Sequence, residues 1–318
     1  MLTFIIRRLL ISIPVFLGIT MLIFLFIALA PGSIVDALVR PELGIDPAAK
    51  EAIIKRYGLD QPLHIRYVLW LANALQGELG YRVASGAAVG SEVIRGLGAS
   101  LALTGSAMVI GIFVGVPLGV LSAVRQYSKV DFVLTATTFL GISLPSFMLG
   151  LGGLWLLGLQ LDLVPIAGMV TVGQEFELLD FLHHLILPAL ILGFGYMAIF
   201  LRYTRAAMLE VIHLDYITTA RSKGLRGSVV LSRHAFRNAL IPIITLIGLS
   251  IPEVVGAAVV TEAVFSWPGL GLMMVEGIQD RDFLLIMGIT MVLALTVLLA
   301  NLLTDVAYGY ADPRIRYS

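Results

Sequence analysis

The side chains best placed for chemistry in this chain are a carboxylate inside an apolar run and the proline before it. Glu253 follows Pro252 near the middle of the run Leu240–Val264. An ionisable group at that depth in a bilayer is costly, so it indicates a functional site by default. We predict that Pro252 and Glu253 line a substrate path, where the carboxylate could meet a substrate amine. Two alternatives stay open: Glu253 pairs with a group on another helix, or it is neutral at an interface.

Other titratable residues carry weaker predictions. Glu262 stands near the end of the same run, so we expect its carboxylate to reach the membrane interface. Asp305 stands near the end of the last apolar run, within reach of cytoplasmic cations. His183 and His184 are adjacent, but no further His or Cys lies one turn away, so we predict no metal site there.

The sequence lacks the usual means of hydrolysing ATP. A phosphate-binding loop of the common kind needs Gly-x-x-x-x-Gly-Lys-Ser/Thr, and no Gly-Lys pair occurs in the chain. We therefore predict that the chain is not an enzyme and has no cofactor of its own. Any function that consumes energy would draw it from another subunit or from an ion gradient. The absence of cysteine excludes disulfides and cysteine-ligated metal.

Six apolar runs predict the elements that position these residues. Charged residues make up only 13% of the chain, whereas soluble domains carry about 25%. A transmembrane helix needs about 20 mostly apolar residues. The runs that meet this length are Leu9–Ala30, Leu101–Val124, Phe132–Leu157, Leu185–Leu201, Leu240–Val264 and Leu284–Thr304. The composition therefore predicts an all-α integral membrane protein with six transmembrane helices.

Three of the runs carry more detailed expectations. The first is longer than the apolar part of a signal peptide, so we expect it to remain as a helix. Pro145 offers a kink in the third. The fourth is at the lower limit of length, so we expect its helix to continue past Arg202.

The distribution of Lys and Arg predicts the orientation. The loops at about 158–184 and 265–283 carry only Arg281, whereas the opposite connections and the chain ends are basic. Both termini and the polar segment between Arg202 and Arg237 are therefore predicted to be cytoplasmic. The formal net charge is zero, so a general attraction to nucleic acid is not expected. Basic residues beside an anionic leaflet favour contact with membrane lipid.

These spans predict four parts of the chain. They are an N-terminal transmembrane helix (1–30), a small extracytoplasmic helical segment (31–100), a five-helix core (101–308) with a cytoplasmic loop (202–238), and a cytoplasmic tail (309–318).

The cytoplasmic loop contains signals for one short helix. Asp215 can cap its N-terminus through the carboxylate, and Gly224 can supply the left-handed residue that ends it. Tyr216, Ala220 and Gly224 are spaced four residues apart, so they share one face. Two of the three have almost no side chain, which would let another surface approach closely. The alternative is an ordinary basic loop beside the membrane, with no partner.

Seven motifs are spread along most of the chain. They are YITTARSKGL (Tyr216–Leu225), RHAFRNALIP (Arg233–Pro242), YGLDQP (Tyr57–Pro62), GELG (Gly77–Gly80), SLPSF (Ser143–Phe147), FSWPGLG (Phe265–Gly271) and DPRIR (Asp312–Arg316). Together they resemble the motifs of one family, the permease subunits of bacterial ABC importers, in the dipeptide/oligopeptide branch. The first, Tyr216–Leu225, resembles the "EAA" motif of these permeases. Two features depart from the general motif and resemble the peptide branch: Thr218-Thr219-Ala220 replaces Glu-Ala-Ala, and Gly224 lies farther from Pro242.

The resemblance implies a type I importer permease in the bacterial inner membrane that moves dipeptides or oligopeptides. It implies a coupling helix that docks on an ATP-binding subunit. The residues that match this role are Asp215, Tyr216, Thr219, Ala220, Arg221, Lys223, Gly224 and Leu225. The implied partners are a second permease subunit forming a heterodimer, two ATP-binding subunits that hold ATP and Mg, and an extracytoplasmic peptide-binding protein.

Three alternatives remain open at this point. A permease for nickel or another small solute shares the motifs of the peptide branch. A gradient-driven secondary transporter would show inverted repeats and several paired intramembrane ions, and neither is evident in the sequence. A structural membrane subunit would not transport at all.

Overall fold

Helices make up nearly all of the described chain. The computed structural model describes residues 2–29, 51, 54–55, 60–82, 85–256 and 258–311, with side chains described within 5–251 and 258–306. The helices are α1 (Leu2–Leu29), α2 (Leu63–Leu75), α3 (Val89–Val124), α4 (Lys129–Ser143), α5 (Ser146–Gly153), α6 (Leu178–Ile212), α7 (Asp215–Ser222), α8 (Gly227–Val229), α9 (Arg237–Gly256), α10 (Val259–Val264), α11 (Leu270–Gln279) and α12 (Phe283–Ala311). Two π-helical segments, Leu154–Gln160 and Val230–Phe236, continue α5 and join α8 to α9. The motif residues Tyr57–Leu59 and Asp312–Arg316 lie outside the described residues.

Among the described residues, five helices are long and apolar enough to cross a membrane, and a bent pair supplies a sixth candidate span. The five are Ile5–Leu29, Val89–Val124, Leu178–Ile212, Gly227–Ile251 and Phe283–Val306; the pair is Lys129–Ser143 with Ser146–Gln160. The predicted all-α membrane fold is therefore confirmed. The predicted division at residues 30, 100 and 308 stays a prediction.

The kink expected at Pro145 is a sharp bend. The two helices that flank it, α4 and α5, meet at 98°. Pro145 has no N–H for the helical ladder, and its ring favours an extended conformation for the residue before it. Leu144 accordingly has ψ 124°, and Pro145 stands at the N-cap of α5.

Two predicted spans have different limits in the structure. Helix α6 continues past Arg202 to Ile212, as expected. The fifth span, predicted as Leu240–Val264, is wrong at its start, because the helix begins at Gly227. It begins early because Val230, Ala235 and Ala239 bury an apolar face among basic residues, a pattern that a search for unbroken apolar runs misses. Helix α9 is described as far as Gly256 and α10 begins at Val259, and residue 257 lies outside the described residues.

The chain divides into two compact units. One consists of Met1–Ala99, Pro268–Gly309 and Pro313–Ser318, and the other of Ser100–Trp267 and Tyr310–Asp312. In the first unit, a buried apolar core joins α2, the start of α3, α11 and α12; its members include Ala74, Val89, Val93, Leu270, Met273, Leu285 and Ile289. This core packs the predicted outer segment against the last helices of the chain.

An arginine beside this core connects α3, α11 and the turn before α12. Arg82 donates from Nη1 to Glu92 and from Nη2 to Glu276, each at 3.0 Å, and its Nε lies 4.0 Å from Asp282. Burial lowers the pKa of Arg82, but the hydrogen bonds to Glu92 and Glu276 outweigh burial, so the pKa is raised above its usual value. The guanidinium therefore stays charged and holds the start of α3 to α11.

The second unit is built on a close contact between α3 and α6. Gly111, Gly115 and Gly119 are spaced four residues apart, so they form one bare stripe along α3. A methyl group at Gly115 would lie 2.7 Å from the Met197 carbonyl oxygen and 3.0 Å from Phe200 Cβ. Small residues allow helix backbones to approach in a membrane. This stripe therefore fixes the position of α6, the helix that leads to the polar segment.

Candidate functional site

The short helix predicted in the polar segment is α7. It spans Asp215–Ser222 and lies between the long helix α6 and the π-helical segment Val230–Phe236. Gly224 has φ 76°, the left-handed conformation predicted for the residue that ends the helix. The predicted N-cap is wrong by one residue: Leu214 is the N-cap and makes no side-chain cap bond, because Asp215 already belongs to the first turn. There its negative charge favours the positive end of the helix dipole.

The buried face of α7 packs against the protein itself. Ile217 is 1% exposed and Ala220 is 7% exposed. Both belong to an apolar cluster whose other buried members are Ala123, Ala207, Met208, Val211, Val230, Ala235 and Ala239. This cluster joins α7 to the end of α3, the end of α6 and the π-helical segment. A helix of about two turns is marginal alone, so this packing holds it in place.

The predicted bare docking face of Tyr216, Ala220 and Gly224 is therefore wrong. Ala220 lies between Tyr216 and Ile217 around the helix axis and faces inward with Ile217. Its small side chain does permit a close approach, but the surface that approaches belongs to the same chain. Tyr216, 41% exposed, lies at the edge of the buried face.

The opposite side of α7 and the turn after it are open. The exposed residues of the segment are Asp215, Tyr216, Thr218, Thr219, Arg221, Ser222, Lys223, Gly224 and Leu225. Leu214 and Leu225, at the two ends, are 45% and 41% exposed. The structure thus presents a mixed polar, basic and apolar surface, and seven of the eight residues assigned to this surface by resemblance are exposed, Ala220 being the exception.

An ion pair between a buried carboxylate and a partly exposed arginine lies near this cluster. Arg205 of α6 binds Asp131 of α4 through two hydrogen bonds, Nε to Oδ1 at 2.8 Å and Nη2 to Oδ2 at 2.9 Å. Asp131 is 4% exposed, and it also accepts from Ser122 Oγ at 2.5 Å and from the Tyr127 N–H at 3.0 Å. Sequence analysis missed this pair because no local spacing relates two residues in different helices.

The predicted substrate-path residues are placed only by their backbone. Pro252 and Glu253 lie on α9, which is described as far as Gly256. Their side chains lie outside the described residues. Their assignment to a substrate path stays a prediction.

The two other carboxylates have different outcomes. The expectation that Glu262 reaches an interface is wrong: it is 1% exposed and accepts a hydrogen bond from Ser100 Oγ at 2.6 Å. Burial of an unpartnered carboxylate would be costly, and Ser100 supplies one partner. Asp305 pairs with Arg8 Nη1 at 3.1 Å, which confirms the expected contact with a cation.

The adjacent histidines make ordinary contacts with the backbone. His183 Nε2 lies 2.9 Å from the Leu163 carbonyl oxygen, and His184 Nδ1 lies 2.9 Å from that of Asp180. Within the part of the chain that the structure describes, no group of three His, Asp or Glu side chains could hold a metal ion.

Comparison with known proteins covers the whole chain. Residues 115–317 match the family described as binding-protein-dependent transport system inner membrane component. Residues 1–104 match the N-terminal family of binding-protein-dependent transport system membrane components. The chain is 42% identical to the oligopeptide transport system permease protein AppB of Bacillus subtilis, over 100% of both chains. It is 36% identical to the dipeptide transport system permease protein DppB of Escherichia coli K12, over 100% of this chain and 99% of that one.

A solved structure has the same fold. It is a chain of the MetNI methionine ABC transporter in an inward facing conformation, with a TM-score of 0.54 and 18% sequence identity. The likeness covers 69% of this chain and 96% of the other, and it confirms the predicted permease fold. Together with the full-length relatives, these matches show that the chain belongs to the family of binding-protein-dependent transport system inner membrane components, as a multi-pass permease subunit of the inner membrane.

Proposed function

We propose that the chain is a permease subunit of an ATP-driven importer of dipeptides and oligopeptides. The supporting observation is full-length similarity to permeases that bear those names, at 42% and 36% identity. Six candidate spans provide the material for a substrate path through the bilayer. We assign Pro252 and Glu253 to this path. An ionisable side chain inside a bilayer is costly, so Glu253 is expected to serve a function there.

The exposed side of α7 is the surface that we assign to an ATP-binding subunit. Leu214, Tyr216 and Leu225 offer apolar area, and Arg221 and Lys223 offer positive charge. Its docking residues are Asp215, Tyr216, Thr219, Arg221, Lys223, Gly224 and Leu225. Ala220 belongs to the inner face, where it lets α7 pack closely on its own protein. A helix held by a buried cluster can move as one body with the helices beneath it.

The full transporter has further subunits in this proposal. A second permease pairs with this chain, two ATP-binding subunits bind ATP and Mg, and an extracytoplasmic peptide-binding protein delivers the substrate. ATP hydrolysis belongs to the ATP-binding subunits because this chain has no Gly-Lys pair for a phosphate loop. The charge distribution supports the proposal that both termini and α7 are cytoplasmic.

Uptake by the reconstituted transporter tests this function. The chain is co-expressed with a candidate second permease, candidate ATP-binding subunits and a candidate peptide-binding protein, and the complex is placed in liposomes. We expect ATP-dependent uptake of a labelled dipeptide that requires the binding protein and is competed by unlabelled peptide. Uptake of nickel without peptide uptake, or peptide uptake driven by an ion gradient without ATP, would contradict the proposal.

A further inference from the structure

The ion pair of Asp131 and Arg205 has more hydrogen bonds than are needed to hold two helices together. Its carboxylate accepts from three separate places: the guanidinium on α6, Ser122 near the end of α3, and the Tyr127 N–H in the turn between α3 and α4. Two bonds from Arg205 fix direction as well as distance, because the guanidinium is a planar fork. Three segments are thus held in one geometry around a single side chain.

The turn beside the pair is held in an unusual backbone conformation. Tyr127 has φ 62°, which non-glycine residues seldom adopt. Its N–H points to Asp131 Oδ2, so the carboxylate stabilises the turn that begins α4. Asp131 is buried, whereas the Arg205 side chain is 28% exposed. Because desolvation of the charged groups offsets much of their attraction, the defined geometry of the pair is the stronger reason to expect a function.

The pair also adjoins the surface that supports α7. Ala123 follows Ser122 in sequence, and Ala207 and Met208 follow Arg205 within one turn. All three belong to the apolar cluster that buries Ile217 and Ala220. A displacement of α7 therefore acts first on residues beside Arg205 and beside Ser122, which both donate hydrogen bonds to Asp131. From Asp131, the helix α4 leads directly to the bend at Pro145.

We propose that Asp131 and Arg205 are positioning residues that convert movement of α7 into movement of α4. The inference rests on the proposed function, since it assumes that an ATP-binding subunit moves α7. Neither residue contacts ATP or substrate in this account. When the hydrogen bonds of the pair are lost, α7 can move without moving α4. ATP is then still hydrolysed, but less substrate crosses the membrane.

The test is the number of dipeptides imported per ATP hydrolysed by the complete transporter in liposomes. Arg205→Lys keeps the positive charge but removes the two-bond fork. We expect the number of dipeptides imported per ATP to fall about fivefold or more, which is within the range of effects measured for residues that couple distant sites. ATP hydrolysis and subunit assembly should be retained. The matched control is Arg202→Lys, an exposed arginine on the same helix that lies over the Tyr203 ring, and it should leave the ratio unchanged.

A milder variant keeps the test decisive if Arg205→Lys does not assemble. Ser122→Ala removes one hydrogen bond to Asp131 and leaves the ion pair intact, and we expect a smaller fall in the same ratio. A parallel loss of uptake and hydrolysis, or an unchanged ratio in the variants that assemble, would overturn the inference. Absence of ATP-dependent uptake in the unaltered transporter would instead overturn the proposed function.

Discussion

At the scale of single residues, the main finding is which side of α7 faces inward. Ile217 and Ala220 are buried in the cluster with Met208 and Val211, whereas Thr218 and Thr219 are exposed. The small residue of the motif therefore serves packing inside the chain. The exposed residues around Ala220 are the ones that can contact a partner subunit.

Ile217→Ala tests the buried side. Removing a fully buried aliphatic side chain down to Ala costs about 2–5 kcal/mol, so we expect a lower thermal midpoint of the purified chain. We also expect faster hydrogen exchange of the α7 amides, because a two-turn helix depends on its packing. The control is Thr218→Ala at an exposed neighbouring position. Equal effects of the two substitutions would show that the inward face is misassigned.

At the scale of elements, the contact between α3 and α6 depends on glycine. A side chain at Gly111, Gly115 or Gly119 would approach α6 atoms to 2.7 Å or less, whereas nothing lies within 4 Å of the corresponding position at Gly105. Replacing glycine by alanine in α3 should therefore have opposite effects on stability at different positions, depending on whether the glycine contacts α6.

Gly115→Ala should lower the thermal midpoint because α6 must move away to admit the methyl group. Gly105→Ala should leave it unchanged or raise it, since Ala is favoured over Gly in a helix by about 1 kcal/mol. Thermal unfolding of the two purified variants, compared in one detergent, measures both effects. A midpoint for Gly115→Ala at or above that for Gly105→Ala would contradict the packing described here.

Some elements could be predicted from sequence because their signals are local. Six apolar runs located the spans, Pro145 located a bend, and Gly224 located the end of α7. The inward face of α7 could not be predicted in this way, since a two-turn helix has no clear periodicity. Its burial depends on Ala207 and Met208 in another helix.

The ion pair was missed for a related reason. Asp131 and Arg205 lie in helices that are distant in sequence, and each one alone looks like a charge at the end of an apolar run. The early start of the fifth span, at Gly227, was missed because basic residues interrupt its apolar face. Local signals therefore predicted where the helices lie in the sequence. Contacts between helices determine which face of α7 is buried and which charged residues pair.

At the scale of the whole molecule, the account requires a definite orientation in the membrane. Charge distribution predicts that α7 lies in the cytoplasm and that the loop at about 158–184 lies on the other side. The chain has no cysteine, so single cysteines can be introduced without background labelling.

Labelling of Ser222→Cys and Val172→Cys with a membrane-impermeant maleimide measures this orientation. Both positions are exposed, and Val172 is 97% exposed. In cells whose outer membrane, if present, is opened, we expect Val172→Cys to react at once. Ser222→Cys should react only after the inner membrane is opened. The reverse pattern would place α7 outside the cytoplasm and remove its access to ATP-binding subunits.

The contact between α7 and an ATP-binding subunit is the central claim, and cysteine cross-linking measures it most directly. In the assembled transporter, a short thiol cross-linker is applied to Thr219→Cys on the exposed side and to Ala220→Cys on the buried side. The account predicts a strong cross-link from position 219 to the ATP-binding subunit and little or none from position 220. A cross-link from 220 that equals or exceeds the one from 219, or none from 219 in an assembled and ATP-hydrolysing complex, would contradict it.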